Sequence, residues 1–409
     1  MAKLQQLRAA MRQHGLDAYI IPSTDPHQSE YVAEHWQARP FMTGFTGSSG
    51  TAVVTQDFAG LWTDSRYFIQ AEKQLKGSGF ELMKLRVPHT PEYIEWLTDN
   101  MKDGAKVGVD GKVLSYSKAE RIEESFEPND IELVTDTDLI AGVWQGRPSL
   151  PDAPIFEHKK QYAGQDRKEK LQALRRDLAD AHADYALITA LDDIAWLFNL
   201  RGGDVDFNPV FVAYALVGKK DVWLCVDDKK LDSSLQKKLR EDGITLSPYS
   251  SIEKLISELP ANSAIYIDPT LLNVNLIYTI WDHHEENEIE GPSLVSVLKG
   301  NKNTTEQDHI REVMVKDGVA MVHFLHWLDT NIGKEDITEA SAAERLLSFR
   351  AAQPLCQGES FPAISGYGPN GAIVHYTAKR GEDAELEPEG IYRIDSGGQY
   401  LDGTTDITR

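Results

Sequence analysis

The chain has 409 residues, 41% of them hydrophobic, and its 64 acidic against 42 basic residues give a formal net charge of −22. Roughly 100 to 200 residues per domain predicts two to four soluble globular domains, and so negative a surface opposes partners that present phosphates, so no nucleic acid and no anionic membrane is expected. The only cysteines, Cys225 and Cys356, offer neither a disulfide framework nor a cysteine zinc site, which fits a cytoplasmic location.

The N-terminal segment reads as an amphipathic helix, Leu4 to His14, with polar breaks that a signal peptide lacks. It leads into Asp17-Ala-Tyr-Ile-Ile-Pro-Ser-Thr-Asp-Pro26, an apolar run of strand length closed by turn residues, and strands come after it at Gly50-Thr-Ala-Val-Val-Thr55 and Gly60-Leu-Trp-Thr-Asp64. Between them, Gly44-Phe-Thr-Gly-Ser-Ser-Gly50 is a glycine-rich turn. It has neither the Lys-Ser/Thr ending of a phosphate loop nor the spacing of a dinucleotide site, so no nucleotide is expected there. Arg66 falls just past a strand end. Its planar fork suits a substrate carboxylate or carbonyl, and a structural pair with Asp64 is the commoner fate of such an arginine.

Arg147-Pro-Ser-Leu-Pro-Asp-Ala-Pro154 cannot continue a helix or a central strand and reads as a linker. Beyond it the same grammar returns. A helix from Lys168 to Ala181 leads into Asp184-Tyr-Ala-Leu-Ile-Thr-Ala-Leu-Asp-Asp193, followed by strands at Val210 to Val217 and Asp221 to Val226. Two copies at this spacing predict a duplicated α/β domain, helices packed on a mixed sheet, and not a solenoid. The eight-residue run Val210 to Val217, the longest apolar stretch, is far too short to span a bilayer.

A second boundary falls at Gly300-Asn-Lys-Asn303, after which Thr304-Thr-Glu-Gln307 resembles a capping box opening a helix to about Asp329. His323 and His326 on that helix have a ligand-compatible spacing. Their apolar surroundings, Met321-Val-His-Phe-Leu-His-Trp-Leu328, favour partly buried histidines of a core helix. A helix from Glu339 to Arg350 and glycine-punctuated strands at Ser360 to Gly368, Ala372 to Tyr376 and Gly390 to Asp395 then predict a curved antiparallel sheet. The expected domains are therefore 1–150, 151–301 and 302–409.

The closing run, Ile394-Asp-Ser-Gly-Gly-Gln-Tyr-Leu-Asp-Gly-Thr-Thr-Asp-Ile-Thr-Arg409, carries Asp395 and Asp406. Carboxylate oxygens hold hard or borderline divalent cations, and a catalytic metal pair takes roughly four to six protein ligands, so these two read as half of a site. A hairpin centred between Tyr400 and Leu401 opposes them directly, whereas a tight turn at Asp402-Gly403 pairs Asp406 with Gln399, and spacing alone leaves both open. Aspartates that merely cap turns of a polar hairpin are the competing reading. His375, read as lying on the apolar strand Ala372 to Tyr376, can polarise a carbonyl, accept a proton or bind metal, and a satisfied structural histidine is the plainer alternative.

Several strings together resemble one family. They are Pro22-Ser-Thr-Asp-Pro-His-Gln-Ser-Glu-Tyr31, Phe41-Met-Thr-Gly-Phe-Thr-Gly-Ser-Ser-Gly-Thr-Ala52, Trp62 to Phe68, Trp196-Leu-Phe-Asn-Leu-Arg-Gly202, Asn208-Pro-Val-Phe211 and the closing run. From about residue 5 onward the chain is similar to the long, three-domain Xaa-Pro aminopeptidases of the pita-bread metallopeptidase clan. The resemblance implies two creatinase-like α/β domains followed by a pita-bread catalytic domain. It also implies two divalent ions, Mn²⁺ by preference, and a metal-bridging hydroxide that attacks an Xaa-Pro peptide bond. Only Asp395 and Asp406 match ligand positions; His375 matches a substrate-contacting histidine and Arg66 a peptide-contacting arginine that acts across a homodimer interface. The remaining histidine and two glutamate ligands are expected beyond Arg409, so the chain is expected to be an N-terminal portion, inactive alone. A non-catalytic peptide-binding or dimerisation module of the same clan is the alternative, opposed by the presence of both aspartates. A prolidase or creatinase is opposed by the duplicated N-terminal domain.

Overall fold

The computed structural model describes residues 2–88, 90–285 and 287–409. They form two compact units. The first comprises Met1–Phe156, Lys170–Asp204 and Val210–Lys299; the second comprises Glu157–Glu169, Val205–Pro209 and Gly300–Arg409.

In the first unit, helix α1 (Ala2–Gln13) buries Leu4, Leu7 and Met11, a stripe spaced by three and then four residues. It feeds β1 (Ala18–Ile21), which sits in a six-stranded sheet with β2 (Thr51–Thr55), β3 (Ala59–Thr63), β4 (Glu81–Lys84), β5 (Lys106–Gly108) and β6 (Glu132–Val134), in the order β4-β3-β2-β1-β5-β6. Alternation along β1 covers both faces. Tyr19 and Ile21 pack with Leu7, Met11 and Val54, while Ala18 and Ile20 pack with Val53, Trp62 and Val107.

Helix α2 (Arg167–Asp180) buries Leu171, Leu174 and Leu178 at the same three-then-four spacing. The second sheet holds β7 (Tyr185–Ile188), β8 (Tyr214–Gly218), β9 (Val222–Cys225), β10 (Thr245–Ser247), β11 (Ile265–Ile267) and β12 (Glu288–Glu290), in the order β10-β9-β8-β7-β11-β12. Each sheet has an antiparallel meander of three strands at its centre and parallel pairings on both flanks, so the two topologies are identical. The duplication expected from the repeated helix-and-strand pattern is thus present in the pairing itself. One expectation is corrected. β8 begins at Tyr214, not Val210, because the Val212 amide donates to the Asp204 carboxylate at 2.6 Å and the Asp204 amide to the Val210 carbonyl at 3.2 Å, which takes this backbone out of the ladder.

The two copies meet through short backbone contacts, Tyr116 to Leu272 at 2.8 Å and Val274 to Gly111 at 3.1 Å, and through one buried ring. His27 Nδ1 donates to the Thr189 carbonyl at 2.8 Å, so its Nε2 accepts from the Tyr249 hydroxyl at 2.9 Å, and Tyr249 stacks on Tyr214 with centroids 5.1 Å apart. Burial lowers the His27 pKa, partly offset by the nearby Asp25 carboxylate. The proline-rich stretch after Arg147 has no regular structure, as expected, and Arg147 ties it down through Asp138 at 2.7 Å and the His35 carbonyl at 2.7 Å.

In the second unit, α3 (Thr304–Asn331) is capped by Asn303, not Thr304: the Asn303 side chain accepts from the Glu306 amide and Glu306 answers to the Asn303 amide, both at 3.0 Å. Asn303 also donates to the Ala163 carbonyl at 2.9 Å, and His309 to the Tyr162 carbonyl at 3.3 Å. α3 turns Val313, Asp317, Ala320, Met321 and Phe324 inward; His323 and His326 lie on its exposed side, against the partly buried placement their apolar neighbours suggested. Apolar residues all round a helix do not choose its buried face. After α4 (Glu339–Ala351) the strands are β13 (Cys356–Glu359), β14 (Ile364–Tyr367), β15 (Tyr392–Ser396), β16 (Gly398–Tyr400), β17 (Gly403–Thr404) and β18 (Ile407–Thr408). They pair antiparallel as two three-stranded sheets, β13-β16-β17 and β14-β15-β18. No helix among the described residues is long and apolar enough to cross a membrane.

Candidate metal centre

Asp395 lies on β15, across from Ile364 on one side and Thr408 on the other. The β16–β17 pairing, Tyr400 with Gly403, closes on a two-residue turn at Leu401-Asp402. Neither hairpin centre left open by the sequence is therefore adopted. Asp395 pairs with Thr408 and Asp406 lies two residues before it, in the break between the two sheets at Gly397 and Thr405-Asp406, so the aspartates are not directly opposed. Gly397 is required at this crossing: a β-carbon there would come within 2.0 Å of both the Ser360 hydroxyl and the Thr405 carbonyl oxygen.

Charge pairing distinguishes these two carboxylates from their neighbours. Asp402, with a side chain only 5% exposed, is held by Lys316 Nζ at 2.6 and 2.8 Å. Asp317, buried, receives Arg350 in a two-pronged contact at 2.7 and 3.1 Å and the Tyr400 hydroxyl at 3.0 Å. Asp395 is half-buried and Asp406 exposed, and neither carboxylate has a hydrogen-bond or ion-pair partner among the described residues. Two carboxylates without a cation of their own, in strands and turns that pair with each other, are oxygen donors of the type a hard divalent cation takes. Among the described residues, no group of three or more His, Cys, Asp or Glu is arranged to hold a metal.

His375 is not on a strand. It lies in a turn after the short 3₁₀ segment Gly368–Ala372, with the Tyr376 amide bonded to the Ile373 carbonyl at 3.2 Å. The carbonyls a strand would offer its neighbour are taken by Arg393, whose Nη2 donates to Val374 O at 2.9 Å and Ile373 O at 3.3 Å. Arg66 belongs to the first unit and takes the structural option that its spacing suggested. Its Nε and Nη2 grip the buried Asp64 carboxylate at 2.7 and 2.8 Å, and its own side chain is 28% exposed. The glycine-rich turn wraps a cation of its own: buried Arg39 donates to the Phe45 carbonyl at 3.0 Å and to that of Gly47. Burial brings the Arg39 pKa down to about 10. Inward carbonyls are the reverse of the inward amides that cradle phosphate.

Three family models match in chain order: creatinase/prolidase N-terminal domains over residues 3–143 and 146–306, and metallopeptidase family M24 over residues 308–409. Over 100% of its length the chain is 38% identical to a probable Xaa-Pro aminopeptidase P of Aspergillus niger, covering 68% of that protein. The chain belongs to the Xaa-Pro aminopeptidase P family. It is also 40% identical to aminopeptidase P2 of Arabidopsis thaliana, over 97% of this chain and 60% of the plant protein. A crystal structure of X-prolyl aminopeptidase from Caenorhabditis elegans, described as a cytosolic enzyme with a di-nuclear active site, superposes with a TM-score of 0.94 at 30% identity, over all of this chain and 69% of that one. The chain therefore spans between three fifths and just over two thirds of these relatives' length, and its creatinase-like and M24 pita-bread architecture is the family's.

Arg393, which takes the Ile373 and Val374 carbonyls, escaped sequence reasoning: it reads only as one residue of an apolar strand, and no local pattern announces its partners.

Proposed function

We propose that this chain supplies the peptide-recognition domains and two metal ligands of a metal-dependent Xaa-Pro aminopeptidase, which releases the N-terminal residue from peptides with proline in second position. The observation that carries the reading is the pair Asp395 and Asp406, without a cation partner among the described residues and within an M24 match, while Asp402 and Asp317 are neutralised by Lys316 and Arg350. The proposed domain limits are 1–150, 151–301 and 302–409, and the matched spans 3–143, 146–306 and 308–409 support them.

Asp395 and Asp406 would hold two divalent cations, with Mn²⁺ as the proposed ion, which supply an activated water at neutral pH and polarise the scissile carbonyl. The chain's own residues bind and orient. His375, with an imidazole that can donate or accept, contacts the peptide near the scissile bond. Arg66, half of its fork engaged by Asp64, presents the remainder to a peptide carbonyl or carboxylate, within a homodimer. A cytosolic location fits the description of the nematode relative.

Because no group of three or more His, Cys, Asp or Glu is arranged for a metal among the described residues, the 409-residue chain is expected to hydrolyse no Xaa-Pro peptide in added Mn²⁺, whereas a protein of the relatives' length is expected to hydrolyse it and to lose that activity on Asp395→Ala. Turnover by the 409-residue chain that disappears with Asp395→Ala would overturn the incomplete-site reading. Activity of the extended protein that survives Asp395→Ala would overturn the ligand assignment.

A further inference from the structure

Glu339 is fully buried at the first turn of α4, yet no cation among the described residues pairs with it. Its carboxylate oxygens are filled by neutral donors: the Tyr367 amide at 2.6 Å, the Asn370 side chain at 3.1 and 3.2 Å, the Tyr376 hydroxyl at 2.7 Å and the Ala384 amide at 3.0 Å. These donors and the helix N-terminus replace the hydration that burial removes from its oxygens. The donors all come from the stretch between Tyr367 and Ala384, in whose middle His375 sits.

A second anchor grips the other side of that histidine. Arg393 Nη2 donates to the carbonyls of Ile373 and Val374, which among the described residues are the only hydrogen-bond partners of its side chain. Arg393 precedes Asp395 by two residues on β15 and so shares its face. Immediately before His375, the chain is tied to the strand of a proposed metal ligand; immediately after it, Tyr376 is tied to Glu339.

We propose that Glu339, acting through Tyr376, and Arg393, acting on the backbone before His375, are positioning residues that fix the His375 imidazole relative to Asp395. This goes beyond the reading of His375 as a substrate-contacting residue, and its functional value rests on that reading. The anchoring itself is a statement about where the ring is held. Loss of one anchor frees the turn to rotate, while the fold keeps its core around Met321, Phe324, Leu346 and Ile394.

The test uses the 409-residue chain with isotopically labelled histidines, the His375 ring signal being assigned by its disappearance in His375→Gln. Tyr376→Phe removes only the hydroxyl that reaches Glu339, and Arg393→Lys keeps the charge but loses the fork. Each is expected to move or split the His375 signal, leave those of buried His27 and His284 in place, and change Tm by no more than about 2 °C. Glu339→Gln turns an NH₂ group toward donors and is expected to give the largest change; should it fail to fold, the other two variants decide. A His375 signal unmoved in both Tyr376→Phe and Arg393→Lys overturns the proposal, whatever happens to Tm, because a merely structural role lowers stability without touching that ring. His375→Ala in the extended protein separates the two ideas. Unchanged peptide hydrolysis there overturns the substrate role of His375, and the NMR result still judges the anchoring.

Discussion

The two six-stranded sheets of the first unit share one topology and differ in the residues placed after the third strand. After β3 the chain reads Asp64-Ser65-Arg66, an arginine locked onto a buried aspartate at the strand end; after β9 it reads Val226-Asp227-Asp228, with no arginine. The second copy has its buried ion pair elsewhere, at Asp204 and Lys230, which hold the irregular segment before β8. The two copies share a scaffold and carry different residues on it, which is why function has to be read from sites and not from folds.

The contrast makes measurable claims. Lys230→Ala strands the Asp204 carboxylate, whose side chain is 0% exposed, and is expected to cost about 3 to 5 kcal/mol, read as a fall in the denaturation midpoint; a loss below about 1 kcal/mol would mean water reaches that pair. Acidification should act on the seam between the copies. His27, with a folded pKa held below 6.5 by burial, binds its proton more readily in the unfolded chain, so its stabilisation is full above about pH 6.5 and declines as pH falls toward the folded value. The slope this group adds is at most about 1.4 kcal/mol per pH unit. A His27→Gln variant should therefore show a flatter midpoint between about pH 7.5 and 5 than the parent, and parallel curves would remove His27 as the cause.

Arg66→Ala makes a milder version of the same cut. Asp64 is buried, with its side chain 1% exposed, but the arginine is 28% exposed and the residue-66 amide keeps its bond to Asp64, so the stability loss should be about 1 to 3 kcal/mol, below that of Lys230→Ala. In a full-length enzyme it should raise KM for an Xaa-Pro peptide by roughly tenfold, the scale of one charged hydrogen bond. Lys230→Ala, with enough stability left to assay, should leave KM unchanged. The smallest stability effect belongs to Asp395→Asn and Asp406→Asn, whose side chains have no partner to lose among the described residues, with midpoints expected within about 0.5 kcal/mol of the parent. Asp402→Asn, which strands Lys316, should cost more than either, and equal losses across the three would erase the distinction between bound and free carboxylates.

Much of this was legible wherever the determinant was local. A helix from Leu4 to His14 and then an apolar strand, followed by a helix from Lys168 to Ala181 and another such strand, announced the duplicated domain. Asp395 and Asp406 stood out as ligand types. The expectations that failed had remote causes. The stretch from Val210 to Ala213 is apolar enough for a strand, yet the Asp204 side chain captures the Val212 amide; Ile373 and Val374 read as strand, yet Arg393 from β15 takes their carbonyls. Asp402-Gly403 signalled a turn centre that lies one residue earlier, at Leu401-Asp402, where Lys316 of α3 holds Asp402. In the first two cases a side chain outside the local run takes backbone groups that a strand would need, which the run itself does not announce.

The way the chain is shared between its units carries a practical lesson for dissecting it. Glu157–Glu169 and Val205–Pro209 fold with the second unit although the first unit's sequence surrounds them, and the opening of α3 is fastened by Asn303 and His309 to Ala163 and Tyr162. No single cut separates the two bodies. A fragment begun at Gly300 would inherit the M24 strands without the strap that buttons down their first helix, so a protease or a cloning boundary placed there would yield a weakened piece where the sequence offers a clean seam.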